Sequence, residues 1–185
     1  SWTDPRADRG YPDYFEEIVE DAAKSPNAIV IPPVPPLLKS SGQNTLGRTM
    51  GVNRFMRKLC GSVSSRWPEN EVTSYFDIYI DQRAVDTSLA DDLLRRLETE
   101  LEEAANFEDE TGYTGVAVTI SNYERAWETN RNKTVEKFVN RLTNIARQNY
   151  LPVVLPRSGR YGLHLTDEGV HGFSSMLNGN ATYNQ

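Results

Sequence analysis

Gly115-Val116-Ala117-Val118-Thr119-Ile120 is a short, nearly unbroken apolar run, and Leu151-Pro152-Val153-Val154-Leu155 repeats it further along the chain. A strand covered on both faces needs such a run, because neither row of side chains reaches water. Between the two, Thr134 to Gln148 carries Val135, Phe138, Val139, Leu142 and Ile145 at helical spacing and so buries one side. Strand, amphipathic helix and strand at this length make a βαβ unit, the building block of parallel sheets.

The pattern extends upstream. Ala28-Ile29-Val30-Ile31 is a third apolar run, ended by Pro32, Pro33, Pro35 and Pro36, which lack the donor that a ladder requires. A proline-rich docking ligand is the other reading of that segment, but its position directly behind a buried-type strand ties it to the domain. Tyr14 to Lys24 reads as a helix with Phe15, Ile18, Val19 and Ala22 inward, and Leu46 to Cys60 as another despite Gly47 and Gly51. Ser88 and Asp91 resemble a capping box, followed by Leu89, Leu93, Leu97, Leu101 and Ala104 on one stripe. Val72, Ser74, Phe76, Ile78 and Ile80 alternate with polar or aromatic neighbours up to Asp81. This period of two predicts a strand with one wet face, at a sheet edge or in an exposed hairpin. Near the end, Thr166 as N-cap with Val170, Phe173 and Leu177 predicts a last helix.

The expected fold is therefore α/β: a parallel-rich sheet of four or five strands with helices on both faces, a three-layer sandwich. Residues 1–185 are expected to form one domain, with 1–12 an extended lead-in and 178–185 a flexible tail. Composition agrees with a core that needs no covalent staples. The single cysteine, Cys60, falls in the rhythm Val52, Phe55, Met56, Leu59 and reads as a buried side chain. Twenty basic against twenty-six acidic residues give a net charge of -6, which opposes a whole-surface attraction to phosphate backbones. No run of eighteen apolar residues suggests a membrane span, and one cysteine without an apolar leader favours an intracellular setting, cytoplasmic or nuclear.

Gly162-Leu163-His164-Leu165-Thr166-Asp167-Glu168-Gly169, preceded by a strand and by a helix containing Phe138-Val139-Asn140-Arg141-Leu142, resembles the last block of the SGNH, or GDSL-type, hydrolases, a flavodoxin-like α/β family. Ile31-Pro32-Pro33-Val34-Pro35-Pro36 is similar to that family's strand into a proline-bearing loop. The resemblance covers about the last fifty residues with some specificity and the remainder in architecture. It implies His164 as the general base of a serine esterase, a task suited to imidazole because its pKa lies near neutrality. It also implies an acid three residues earlier, where this chain has Tyr161, and a Gly-Asp-Ser turn, which this chain lacks. A phenol is neutral at pH 7 and stabilises imidazolium poorly. Ser41, in a loop after the prolines, is a candidate nucleophile, and Asn44 a candidate oxyanion donor.

With that set incomplete, the chain reads first as a non-catalytic SGNH-like binding module for a protein or for single-stranded RNA. A working esterase, and a structural protein that self-associates into a homo-oligomer, are the other readings. None calls for a cofactor. His164, Asp167, Glu168 and His171 are not taken as a metal site, because acids in a helix's first turn are explained by capping. Basic residues gather at Arg48, Arg54, Arg57, Lys58 and Arg66, and again at Arg125, Arg131, Lys133, Lys137 and Arg141. Tyr123, Trp127 and Tyr150 near the second group have the flat faces on which bases stack, so that group is the candidate partner surface.

Overall fold

The apolar runs become strands of one parallel sheet and the amphipathic stretches become its crossover helices. The computed structural model describes residues 11–25, 29–32, 34–37, 43–64, 73–85, 90–106, 113–121, 132–156, 158 and 169–174. Along the chain these form α1 (Tyr11–Ala22), β1 (Ile29–Val30), α2 (Gln43–Ser64), β2 (Thr73–Asp81), α3 (Gln82–Val85), α4 (Ala90–Asn106), β3 (Tyr113–Ser121), α5 (Asn132–Gln148), β4 (Val153–Leu155) and β5 (Gly172–Phe173). The five strands stand in the order β1-β2-β3-β4-β5, every neighbour parallel. The curled parallel sheet with its helices is the expected α/β class and is consistent with three layers. The order itself is not the 2-1-3-4-5 of flavodoxin-like sheets: each described strand lies beside its sequence neighbour, and no reversal of winding occurs among them.

β2 and β3 pair from Ser74 beside Tyr113 to Asp81 beside Ser121, with a register shift after Ser74. Phe76, Ile78 and Ile80 of β2 and Val116 and Val118 of β3 enter one large buried cluster. α2, α4 and α5 close it with Met50, Leu97 and Phe138 among others. A smaller cluster joins Phe15 and Val19 of α1 to Val30, Met56 and Cys60, with Tyr79 from the other row of β2 half-buried against it. Cys60 is fully buried there, as its apolar rhythm predicts.

Three expectations change. β2 is neither an edge nor half wet: β1 and β3 flank it, and Asp77 and Asp81 on the supposed wet row are buried. Elements distant in sequence cover that row, and a local alternation cannot register them. The predicted last helix is a strand at Gly172–Phe173, paired with Val154 and Leu155. Gly169 has φ +88°, a left-handed conformation that an α-helix cannot continue through. The open edge of β4 then claims the following backbone, with the His171 amide donating to the Val153 carbonyl (2.8 Å) and the Ser174 amide to that of Leu155 (3.1 Å). Lastly, α1 begins at Tyr11, inside the predicted lead-in, because Pro12 falls in the first turn, where its missing N–H is no loss. Residues 1–10 and 178–185 lie outside the described residues. No described helix is long and apolar enough to cross a membrane.

Candidate functional site

In a parallel sheet the carboxyl ends of all strands share one edge, which is where α/β proteins hold ligands. Asp81 ends β2 at this edge and Ser121 ends β3 beside it in register. The Asp81 carboxylate is buried and occupied. Oδ1 accepts from the Arg83 backbone amide (2.8 Å) and from Nε (3.0 Å), and Oδ2 accepts from Nη2 (2.7 Å). These bonds hold its pKa below the ordinary carboxylate value, against the opposing effect of burial. Asp81 therefore caps α3, a short helix that the sequence reading missed. The Ser121 hydroxyl is buried with no hydrogen bond among the described residues, and Ser158 past β4 donates to the Leu155 carbonyl (3.1 Å).

Of the residues expected to catalyse, Asn44 falls in the first turn of α2. Its side chain, Ser41 and His164 lie outside the described residues, as does Tyr161.

α5 carries the described part of the candidate partner surface. Lys133, Lys137 and Arg141 are exposed and stand four residues apart, so one row of the helix presents all of them. Val135, Phe138, Val139, Leu142 and Ala146 fill the opposite side and hold the helix to the sheet. Arg141 Nη1 also donates to Asp91 on α4, which draws part of its charge away from solvent. Arg147 continues the basic face in the last turn, its Nη2 donating to Asn144 Oδ1 (2.8 Å). Tyr123, Arg125, Trp127 and Arg131, in the connection from β3 to α5, lie outside the described residues.

The first basic group divides differently. Arg57 points inward from α2 and is 3% exposed. Its Nη1 donates to the Asp77 carbonyl (2.9 Å), its Nη2 pairs with Glu100 of α4, and Arg54 pairs with Glu103 one turn away. Burial lowers the Arg57 pKa and raises that of Glu100, each opposed by the partner's charge; burial also raises the Tyr113 phenol. The pocket among Arg57, Phe76, Glu100 and Tyr113 measures about 30 Å³. That is room for a water or two, where substrate sites need roughly 300 Å³ or more. This group is a structural ion pair between helices, and Arg57 is not part of an outward basic surface.

His171 also has a structural role. The Val153 amide donates to its Nδ1 (3.2 Å), so that nitrogen is taken and the proton of a neutral ring sits on Nε2. Among the described residues no group of three or more His, Cys, Asp or Glu side chains is arranged to hold a metal ion. The sequence matches no protein-family model and no curated protein.

Proposed function

We propose that this chain is a non-catalytic α/β binding module that contacts single-stranded RNA along the solvent face of α5. The observation that carries the reading is the row Lys133, Lys137, Arg141, which faces water on a helix whose other side is anchored in the core. The sequence adjoining that helix supplies Arg125, Arg131, Tyr123 and Trp127. Cations that track a backbone together with aromatics that stack on bases are the two components of single-strand binding. The net charge of -6 opposes a whole-surface attraction to phosphates, so binding would have to rest on this local face. The non-catalytic part of the reading is supported by Tyr161 in place of an acid and by the lack of a Gly-Asp-Ser turn.

Fluorescence anisotropy with a labelled single-stranded RNA tests the contact. Binding at low salt should weaken as salt rises, with a log–log slope of about -2 if two or three phosphates are neutralised. Charge reversal at Lys133 and Lys137 together should abolish it, and Trp127→Ala should weaken it about five- to a hundred-fold. Absence of binding at low salt overturns the reading. A concentration-dependent mass lost in Trp127→Ala would instead favour self-association or a protein partner. The esterase reading has its own test in p-nitrophenyl ester hydrolysis: the wild type should be no faster than His164→Ala, and robust turnover lost in that variant would establish a hydrolase.

A further inference from the structure

α5 ends in an arrangement whose backbone bonds are complete. The Leu151 amide donates to the Ala146 carbonyl (2.9 Å) and the Tyr150 amide to that of Arg147 (3.0 Å). This is the Schellman pattern, with Leu151 and Ala146 both buried behind it. The pattern requires a left-handed residue between helix and exit, usually glycine, and this chain places Tyr150 there with φ +58°. A side chain with a Cβ is disfavoured in that conformation, and an aromatic one more so. Among the described residues no packing offsets the strain, because Tyr150 is 95% exposed.

A strained backbone that holds a large apolar ring in water lowers stability without an intramolecular return, and outliers of that kind collect at functional sites. The ring also stands at one end of the basic face. Arg147 lies three residues before it, and Lys133 begins the face about 25 Å away along the helix.

We propose that Tyr150 is a base-stacking platform at the carboxyl end of the α5 face. The cations of the helix hold the phosphates and the phenol ring takes a base that has turned outward. The inference rests on the single-strand reading above and adds to it a further base-contacting residue, besides Tyr123 and Trp127.

Tyr150→Gly separates function from structure, because glycine relieves the strain while removing the ring. The variant should melt about 2 to 4 °C higher than the wild type. It should also bind a labelled oligoadenylate of about twelve nucleotides five- to a hundred-fold more weakly. Tyr150→Phe keeps the platform and should bind as the wild type does. An abasic oligomer of the same length offers phosphates without bases, so wild type and Tyr150→Gly should bind it equally. Wild-type binding that Tyr150→Gly leaves unchanged overturns the platform alone. If the wild type binds no RNA at low salt, the single-strand reading falls and the platform with it. Equal losses on the abasic and the base-bearing oligomer also overturn the platform, since they would mean that the ring acts on the backbone.

Discussion

The guanidinium of Arg57 lies 3.9 Å over the centroid of the Phe76 ring, so that a cation from α2 is sealed against the interior strand β2. The ring face, the Asp77 carbonyl and the Glu100 carboxylate together replace the water that the guanidinium gives up. Arg54 and Arg57 on one helix meet Glu103 and Glu100 on the other in reverse order, which fixes how α2 and α4 sit against each other.

Removing one member of a buried pair leaves the other charged without compensation. Arg57→Ala is expected to destabilise by about 3 to 5 kcal/mol, and Arg57→Met with Glu100→Leu by far less, because two apolar side chains fill the same space without a desolvated charge. Urea denaturation of the single and double variants measures both. A loss below about 1 kcal/mol for Arg57→Ala would show that the pair opens to water in solution.

Core burial should rank three truncations. Leu97 and Phe138 are almost wholly buried, so Leu97→Ala and Phe138→Ala should each cost about 2 to 5 kcal/mol. Val154 is half-buried in β4, and its loss should cost less than about 2 kcal/mol. Equal costs at all three, measured by thermal melts, would contradict the layer assignments.

Those layers were legible because the signals of β3, β4, α4 and α5 are local: a run such as Val116 to Val118, or Leu93 to Leu101 at helical spacing, is read within one element. Long-range facts were not. The covering of Asp77 and Asp81 depends on other elements, the strand at Gly172–Phe173 depends on β4 having a free edge, and the inward turn of Arg57 depends on Glu100, forty-three positions away. The candidate surface was legible to the same degree. Lys133, Lys137 and Arg141 could be placed on one row by counting, whereas the strain at Tyr150 exists only in the folded backbone.

Two glycines should respond to alanine with opposite sign. A Cβ at Gly115 would come within 2.8 Å of two Tyr75 ring atoms and 3.0 Å of the Pro152 carbonyl, which is held by the Val116 amide. Gly115→Ala should cost about 1 to 3 kcal/mol, and Tyr75→Ala in the same chain should recover part of it. Gly51 on α2 has open space where a Cβ would go, so Gly51→Ala should add up to about 1 kcal/mol through helix propensity. Chemical denaturation of the three variants reads both signs, and a stabilising Gly115→Ala would refute the close approach.

The last prediction follows the Asp81 carboxylate through acid. Folding lowers its pKa below the ordinary 3.8, chiefly through the hydrogen bonds from Arg83, so the ionised form is favoured in the native state. Its contribution is therefore full above the unfolded value and is lost as pH falls through the lower folded one. Arg83 is largely exposed, so water screens the pair and the contribution should be only about 1 kcal/mol at neutral pH. Asp81→Asn keeps an oxygen to cap α3 and removes the charge; its deficit should stay constant at neutral pH and close below about pH 4. Glu100 works in the opposite sense. Burial raises its pKa above 4.5, so its protonated form favours folding and that contribution fades as pH rises through the folded value. Urea midpoints of the wild type, Asp81→Asn and Glu100→Gln between about pH 3 and pH 7 separate the two signs. A deficit in Asp81→Asn that stays the same down to the lowest pH would show that the carboxylate acts only as a neutral cap.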